Sequence, residues 1–377
     1  MKRRLPSQVM VVFAAAFASL AAAAADMSVF FGTQGSGKGI GISVARFDSD
    51  TGRLADLRLD VEAVRPGFFV VHPDGRRLYA CDSSSPGGIC AYAVDPMTAN
   101  LTFLNRAPSG GDDPSYVCLD HTARFALVAN YNSGSIAVFA LKPDGSIGER
   151  TAFAQHTGRS VNPQRQKQAH AHSIIVDPSN RFVLSADLGV DKLFVYRFDA
   201  AAGTLTPNNP PFAAITPGSG PRHVTFHPNG RWVYLINELA CTVTGFNWAS
   251  SRGELAEFQT ISTLPADFKG TNTAAEILVH PNGRFIYGSN RGNNSIAVFS
   301  IDPASGRLAP VEHVSTRGKT PRNFAFDPTG NWIICSNQDS GTAVVFRVDG
   351  VNGRLTQTGQ PVPVPFPFCE RFLPAAR

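Results

Sequence analysis

Two stretches of the chain repeat one frame: residues 221–239 read PRHVTFHPNGRWVYLINEL, and residues 321–339 read PRNFAFDPTGNWIICSNQD. Each stretch begins with Pro-Arg, and apolar residues then occupy alternate positions up to a turn of the form H/D-P-x-G. A second apolar run follows the turn and is succeeded by Asn and another polar residue. Alternation with period two on both sides of a Pro-Gly turn is typical of two antiparallel strands. The frame therefore predicts a β-hairpin that the chain uses more than once.

The same frame recurs along the chain at nearly constant intervals. It begins six times, at steps of 48, 57, 50, 53 and 47 residues, at His72, Asp120, Asp177, His227, His280 and Asp327. A second signature, a β-rich run ending in a turn and Gly-x-Leu or a relative of it, occurs seven times, in 42–54, 89–101, 136–147, 193–205, 243–255, 296–308 and 343–355. No window shows a sustained 3.6-residue period with caps. About four strands every ~50 residues predict an all-β fold, a seven-bladed β-propeller with four-stranded blades.

The chain holds seven of the second signatures but only six hairpin frames. The first unit opens at SVFFGTQ (28–34), which corresponds to the second strand of the later units, and PVPVPFPFCERF (361–372) is left over after the seventh unit. We therefore expect the C-terminal segment to supply the missing strand and close the ring. Closure hides the sheet edges that an open array would expose.

The N-terminus has the pattern of a secretory signal peptide. Three basic residues (2–4) precede an apolar run that ends in small residues, with an A-x-A site at 23–25. The run would be a membrane anchor if uncleaved, but its small-residue end favours cleavage. We expect residues 1–25 to be removed, leaving 26–377 as one propeller domain in the periplasm or outside the cell, with no membrane attachment.

The net charge and the cysteine content bear on the binding partners and on disulfide formation. The net charge is +5, but without the three basic residues of the leader, 31 Lys and Arg face 29 Asp and Glu. The sequence has no basic run or basic helix of the kind that binds nucleic acid. We expect the protein to be a monomer. Six widely spaced cysteines are typical of buried small apolar residues. The one pair that the spacing favours as a disulfide is Cys81 with Cys90, on either side of a turn-rich segment.

The ends of the hairpin frames differ from unit to unit and carry polar residues. Because the two strands of a hairpin run antiparallel, the start of the first and the end of the second lie at the same end of each blade. Innermost strands of a propeller line its central channel. We therefore predict that one mouth of the channel is ringed by His172, Arg222, His223, Glu238, Glu276, Arg291, Arg322 and Asn323.

Several of these residue types also fit purely structural roles. The Asn or Asp that ends each second strand, Asn237 among them, recurs in all six frames, as expected of a turn or strand-end cap. The arginines of the two Pro-Arg pairs, Arg222 and Arg322, fit plain inter-blade salt bridges to the two glutamates. His170 and His172 lie on one strand face by period two, but no third ligand follows at metal-binding spacing, so we expect no metal and no other cofactor.

The chemistry of the predicted ring is that of an acid–base site for an oxygen-rich small molecule. Arginine binds carboxylate or phosphate bidentately and stabilises a developing oxyanion. A carboxylate or an imidazole activates water or shuttles a proton. Ester hydrolysis without a metal or a covalent nucleophile fits these groups, and so does reversible ring closure onto an acid. The residues alone do not choose between the two reactions.

At these same residues the chain resembles the seven-bladed propeller lactonases, a family that includes bacterial 6-phosphogluconolactonases and the fungal carboxy-cis,cis-muconate cyclase. The resemblance covers essentially the whole chain after the leader. The matching stretches are GTQGSGKGIGISVARFD (32–48), AHAHSIIVDP (169–178), SADLGVDKLFVYRFD (185–199), GPRHVTFHPNGRWVYLINEL (220–239), TAAEILVHPNGRFIYGSNRGNNSIAVFSID (273–302) and TPRNFAFDPTGNWIICSNQDS (320–340).

The resemblance implies both an activity and a set of site residues. It implies the propeller fold and hydrolysis of a sugar-acid lactone, as by 6-phosphogluconolactonases, with a small anionic or polyhydroxy lactone as substrate. The residues proposed as active-site groups of the muconate cyclase correspond in this chain to His172, Arg222, Glu238 and Arg291. The predicted substrate-binding residues are His170, His223, Glu276, Arg322, Asn323 and Asn237.

Three hypotheses follow for the function. The first is an exported lactonase. Because 6-phosphogluconolactone is made inside the cell, either the substrate is another aldonolactone or organic-acid lactone in the periplasm, or activity on the 6-phosphate holds in vitro only. The second is a cycloisomerase that acts on muconate-like acids. The third is a non-catalytic propeller that binds a ligand or protein, against which the intact set of His, Glu and Arg argues.

Overall fold

The computed structural model describes residues 26–33, 35 and 40–373. The regular secondary structure of these residues consists of β-strands alone. The predicted signal peptide, residues 1–25, lies outside the described residues. None of the described residues forms a helix long and apolar enough to cross a membrane.

The described residues form 28 strands. The first seven are β1 (Asp26–Thr33), β2 (Gly41–Asp48), β3 (Arg53–Glu62), β4 (Phe69–Val71), β5 (Arg77–Asp82), β6 (Gly88–Val94) and β7 (Leu101–Pro108). The next seven are β8 (Pro114–Leu119), β9 (Phe125–Asn130), β10 (Ser135–Leu141), β11 (Ile147–Gln155), β12 (Ala171–Val176), β13 (Phe182–Asp187) and β14 (Lys192–Asp199). They are followed by β15 (Thr204–Ala214), β16 (Pro221–Phe226), β17 (Trp232–Asn237), β18 (Thr242–Ala249), β19 (Glu254–Ser262), β20 (Thr273–Val279) and β21 (Phe285–Arg291). The last seven are β22 (Ser295–Ile301), β23 (Leu308–Ser315), β24 (Pro321–Phe326), β25 (Trp332–Asn337), β26 (Thr342–Val348), β27 (Leu355–Pro363) and β28 (Pro367–Phe372).

The strands form seven antiparallel sheets of four strands each, and each sheet is one blade. Six blades use consecutive strands, from β4–β7 to β24–β27, whereas the remaining one has the order β28-β1-β2-β3. The first strand of each blade contacts the first strand of the next, and β28 contacts both β24 and β4, so that the innermost strands form a closed ring. The predicted seven-bladed propeller and its closure by the C-terminal segment are confirmed.

The hydrophobic core lies between neighbouring blades. Second strands such as β9, β13, β17 and β25 are buried at every residue, because each is covered on both faces by adjacent sheets. Leu184 of one blade, for example, belongs to the same cluster as Val233 and Leu235 of the next. Burying an aliphatic side chain of this size stabilises the fold by about 1.5–3 kcal/mol. The ring is therefore held by apolar contact between sheets.

The histidines of the H-P-x-G turns connect adjacent blades. His227 Nε2 donates to the carbonyl of Gly283 at 2.7 Å, while its Nδ1 accepts from the Asn229 amide at 3.1 Å. His280 repeats this pattern with Gly330 at 2.8 Å. Gly230 of the first turn has φ +70°, a left-handed conformation that favours glycine. In these two frames the turn histidine therefore bonds to the turn of the next blade.

A β-bulge interrupts the pairing at the start of the innermost hairpin in six blades. The residues left without a cross-strand partner are Ser115, His172, Arg222, Ala275 with Glu276, Arg322 and Phe368. A bulge bends its strand and re-aims the extra side chain. Four of these strands begin with Pro, which has no N–H to contribute to the ladder and is tolerated at a first strand position. In the repeated Pro-Arg, the proline begins the strand and the arginine is the bulged residue.

The predicted Cys81–Cys90 disulfide is wrong. All six cysteines are free. Cys81 pairs with Ile89 across the β5–β6 ladder, and Cys90 pairs with Ala80. Because successive side chains in a strand point to opposite faces, the two sulfurs lie on different sides of the sheet and cannot bond.

Candidate active site

A cavity of about 300 Å³ lies where the bulged ends of the innermost strands converge. Residues from several blades contribute to it, so that no single hairpin contains the site. The lining consists of Gly67, Ser83, Asp113, Pro114, Ser115, Tyr131, Arg165, His172, Glu238, Thr273, Arg291, Arg322 and Phe368.

The carboxylate of Glu238 is the centre of the charged groups. Glu238 directly follows β17 and is 3% exposed. Its Oε1 accepts a hydrogen bond from Arg165 Nη2 at 2.6 Å. Its Oε2 accepts one from Arg222 Nε at 3.1 Å and lies 2.9 Å from Arg291 Nη2. One buried carboxylate therefore neutralises part of the charge of three guanidinium groups.

This arrangement keeps Glu238 ionised. Burial by itself would raise the pKa of the Glu238 carboxyl, but the surrounding cations, Arg291 foremost, hold this pKa well below its usual range. Burial also lowers the pKa of Arg222 to about 10, with the charge of Arg291 acting in the same direction. At neutral pH the cluster thus contains a carboxylate anion and charged arginines.

His172 brings a neutral imidazole next to this carboxylate. Its Nε2 lies 3.8 Å from Glu238 Oε2, too far for a hydrogen bond but within reach of an ion pair once the ring is protonated. Burial, and after it the charge of Arg222, lowers the pKa of His172 well below the ordinary histidine value. Its buried Nδ1 has no hydrogen-bond partner among the described residues. The ring can therefore accept a proton.

Arg322 is the guanidinium without a carboxylate partner. It lines the cavity, and its carbon Cζ stands 3.7 Å from the centre of the Phe368 ring, a cation–π contact. Within the described part of the chain it forms no ion pair with Glu238 or Glu276, and its Nε has no partner. Arg222, by contrast, pairs with Glu238 of its own blade, so that neither arginine forms the inter-blade bridge considered from the sequence.

Arg222 does not itself line the cavity, and neither do three of the predicted substrate-binding residues, which are connected to it by hydrogen bonds. Arg222 Nη1 is 3.3 Å from His223 Nε2, and His223 Nδ1 is 2.8 Å from Glu276 Oε1. Glu276 Oε2 accepts a hydrogen bond from the Asn323 side-chain amide. Burial raises the pKa of Glu276 to about 7. This chain of buried polar groups holds Arg222 in place, a positioning role.

The polar chain continues to the ring-closing strand β28. The Asn323 side-chain oxygen accepts from Arg371 Nη1 at 3.0 Å, and the guanidinium of Arg371 stacks over Phe68. Next to Arg371, the carboxyl of Glu370 contacts Ser336 Oγ at 2.5 Å and is fully buried. Burial raises the pKa of Glu370 to about 8.

The buried carboxyl of Glu370 leads to a prediction about stability. Its folded-state pKa of about 8 lies above the ordinary value of 4.5, so the folded protein holds a proton that the unfolded chain releases. The stabilisation from this group is fully present below pH 4.5 and is lost as pH rises through about 8. Relative to Glu370→Gln, the wild type should lose at most about 1.4 kcal/mol of unfolding free energy per pH unit in this window.

Denaturant unfolding of both proteins from pH 5 to pH 9 measures this difference. Glu149→Gln on β11 serves as the control, because Glu149 is exposed and its loss leaves the pH dependence of the wild type unchanged. A constant difference between wild type and Glu370→Gln over this range would contradict the prediction.

Two further predicted residues bond elsewhere. The Asn237 amide donates to Thr242 Oγ1 at 2.9 Å and to Thr244 Oγ1 at 3.0 Å on the next strand, which fits the strand-end cap. His170 precedes β12, and its Nδ1 lies 2.9 Å from the Tyr131 carbonyl. Its ring stacks on that of Tyr131. The bulge at His172 breaks the period-two relation between the two histidines, and neither Asn237 nor His170 lines the cavity.

Other cavity residues escaped the sequence analysis. Arg165 lies in the loop between β11 and β12, outside the repeat, and no sequence signal marked it. Phe368 occupies the bulge of β28 that corresponds to Arg322 in β24, so that aligning the closing strand with the frames would have found it. The described residues contain no group of three or more His, Cys, Asp or Glu side chains that would hold a metal ion.

Fold and site together define a class: seven-bladed β-propellers that gather acid–base and cationic side chains from several innermost strands into one cavity. Residues 28–372 match the family model described as "Lactonase, 7-bladed beta-propeller". The chain belongs to this family of propeller lactonases.

Individual relatives agree with this assignment. A 6-phosphogluconolactonase of Bacillus subtilis is 36% identical over 345 residues, which cover 91% of this chain and 97% of the relative. One from Formosa agariphila is 32% identical over 297 residues, 77% of this chain and 83% of the relative. The solved structure of a periplasmic gluconolactonase of Pseudomonas aeruginosa superposes with a TM-score of 0.87 at 34% identity, covering 93% of this chain and 100% of that one.

Proposed function

We propose that this protein is a lactonase that hydrolyses a sugar-acid lactone to the open-chain acid. The observation that carries the proposal is the pairing of an ionised Glu238 with a neutral His172, 3.8 Å apart, in a cavity that also contains an unpaired guanidinium. Membership of the lactonase family and relatives named 6-phosphogluconolactonase and gluconolactonase support it.

The contacts divide the reaction among three residues. Arg322 has no carboxylate partner, so its guanidinium is the group free to stabilise the oxyanion that develops on the lactone carbonyl oxygen. The arginines Arg222 and Arg291 are instead paired with Glu238 and hold it in place. His172, uncharged and lining the cavity, is the group able to take a proton from water.

The steps balance without any further reactant. Water adds to the lactone carbonyl carbon as His172 accepts its proton, and the imidazolium is stabilised by the Glu238 carboxylate. The tetrahedral intermediate collapses with cleavage of the ring C–O bond. His172 returns the proton to the leaving alkoxide, which becomes a hydroxyl group of the product acid.

Acid release from a panel of lactones tests the proposal. The purified chain without residues 1–25 should accelerate the opening of at least one aldonolactone well above its spontaneous hydrolysis, measured in the same buffer with heat-denatured protein. The panel should also contain muconate-type acids, for which loss of the conjugated diene absorbance reports cycloisomerisation. No acceleration with any lactone by a folded protein would overturn the lactonase assignment and favour a binding propeller.

The location of the reaction is part of the same proposal. The basic leader with its small-residue cleavage site supports export to the periplasm or beyond, and one solved relative is named a periplasmic gluconolactonase. An exported monomer that meets its substrate outside the cytoplasm would act on lactones present there.

A further inference from the structure

The longest connection between two strands of the described chain is the loop between β11 and β12, residues 156–170, which carries Arg165. From this loop the guanidinium of Arg165 reaches Glu238 Oε1 at 2.6 Å. Arg222, on the bulge of β16, holds the other carboxylate oxygen, Oε2, at 3.1 Å. Two guanidinium groups from separate parts of the chain must therefore be brought to one carboxylate.

A second buried carboxylate, that of Asp191, contacts both of these parts. Asp191 lies between β13 and β14 and is 4% exposed. Its Oδ2 accepts hydrogen bonds from two side chains of the β11–β12 loop, from Ser160 Oγ at 2.5 Å and from Gln166 Nε2 at 2.8 Å. Gln166 is fully buried and directly follows Arg165. The carboxylate of Asp191 thus fixes the loop next to Arg165.

The same carboxylate fixes the start of β16. Its Oδ2 also accepts a hydrogen bond from the amide of Gly218 at 2.7 Å, and its Oδ1 accepts one from the amide of Gly220 at 2.7 Å. Gly220 directly precedes the Pro-Arg pair of β16, and its carbonyl accepts from the Glu238 amide at 2.7 Å. Gly220 therefore connects the carboxylate of Asp191 with the backbone of Glu238 and with the strand that carries Arg222.

The arrangement depends on the side chain of Asp191 being a carboxylate. Among the described residues Asp191 forms no ion pair, so its buried charge is stabilised by four hydrogen bonds. An ionised carboxylate only accepts hydrogen bonds, whereas the carboxamide of asparagine presents an NH₂ donor on one side. In either orientation that donor would face another donor. Asp191 has φ +51°, a left-handed conformation that asparagine also tolerates, so Asp191→Asn changes the hydrogen bonds and leaves the backbone conformation accessible.

We propose that Asp191 is a positioning residue of the active site. By holding the β11–β12 loop and the start of β16, it sets the guanidinium groups of Arg165 and Arg222 on the two carboxylate oxygens of Glu238. Asp191 does not line the cavity, so it acts through the two arginines and not on the substrate. The inference rests on the proposed lactonase function and names a residue on which the same site depends.

Steady-state kinetics with the lactone that the wild type hydrolyses fastest test this role. Asp191→Asn should lower kcat by about 10–10²-fold with little change in KM, because displaced arginines no longer hold Glu238 in place for the attack of water. Asp177→Asn is the matched control and should keep the kcat of the wild type. Asp177 lies in the same blade at the other end of β13, is fully buried and also accepts four hydrogen bonds.

A double-mutant cycle separates positioning from a general loss of packing. Arg165→Gln should lower kcat in the wild-type background and have a much smaller effect in Asp191→Asn, since the loop has then already lost its place. In Asp177→Asn, the effect of Arg165→Gln should equal that in the wild type. If Asp191→Asn does not fold, Gln166→Met, which removes the loop-side contact next to Arg165, takes its place in the cycle.

Hydrogen exchange of the backbone amides gives a readout that does not need activity. Asp191→Asn should speed exchange at Gly218 and Gly220, whose amides donate to the carboxylate, and in the β11–β12 loop. Asp177→Asn should leave exchange in both segments unchanged.

The outcomes distinguish failure of this inference from failure of the proposed function. Equal kcat in Asp191→Asn and Asp177→Asn, or full additivity with Arg165→Gln, would overturn the positioning role while the lactonase function stands. If the wild type turns over no lactone of the panel, the proposed function fails, and hydrogen exchange decides the role of Asp191. Unchanged exchange in Asp191→Asn would then overturn the positioning role as well, whereas faster exchange confined to the two segments would support it.

Discussion

Glu238→Gln lowers the rate of lactone hydrolysis by about 10³-fold, the largest single effect that we expect at this site. Glutamine has nearly the shape of glutamate but no charge. It cannot stabilise the imidazolium formed on His172, and it leaves three guanidinium groups without their counterion. Both changes act at the step in which water attacks.

The same substitution also lowers stability, and the measurement must separate the two effects. Removing one partner of a buried ion pair costs about 3–5 kcal/mol, because the remaining charges stay buried. Rates should therefore be measured well below the Tm of the variant, with circular dichroism as a check of folding. Asp120→Asn is a matched control, since Asp120 is a buried, hydrogen-bonded carboxylate at the turn end of a hairpin, away from the cavity.

The Asp120→Asn control shows whether the loss of activity in Glu238→Gln comes from the active site or from lower stability. Asp120→Asn should be destabilised and yet hydrolyse lactones at nearly the wild-type rate. A folded Glu238→Gln with full activity would show that the carboxylate has no part in the reaction.

His172→Gln removes the proposed proton acceptor, and we expect a loss of about 10²–10³-fold in kcat. The Tm should change little, because the imidazole forms no hydrogen bond that the substitution would break. His121→Gln in the β8–β9 turn, where His121 Nε2 contacts the Asp177 carbonyl of the next blade, is a control that leaves the cavity intact.

The pH profile of kcat distinguishes this role from a structural one. The base form of His172 is needed, and its pKa is lowered well below 6.5, so the wild-type rate should hold through pH 6.5 and fall only at more acid pH. The acid limb due to His172 should be missing from His172→Gln. If Glu238→Gln is inactive while His172→Gln keeps its rate, Glu238 itself is the base.

The predictions from sequence were most successful where the information is local and repeated. Period-two alternation recurs along the whole chain and the hairpin frame occurs six times, and each copy supports the same interpretation, so the blades, their number and the closing strand were predicted correctly. The equivalence of hairpin ends also brought together His172, Arg222, Glu238 and Arg291. Their roles in catalysis remain predictions.

The predictions from sequence failed where side-chain contacts depend on residues that are close in space but not along the chain. Cys81 and Cys90 are close along the chain, but the ladder register turns their side chains to opposite faces. His223, Glu276 and Asn323 belong to the predicted ring, yet they do not line the cavity and instead bond to one another and to Arg222. Arg165 reaches Glu238 from a loop 73 residues earlier in the chain.

The sequence by itself determined the propeller and the set of polar residues at the ends of its inner hairpins, because strand alternation and turn chemistry are properties of short segments. Only the tertiary structure decided how these residues divide their charges. Arg222 and Arg291 pair with Glu238, whereas Arg322 remains unpaired in the cavity. That division depends on β-bulges and on separations of a few ångströms between residues far apart in the chain, because Coulomb and hydrogen-bond energies follow distance in space and not position in the sequence.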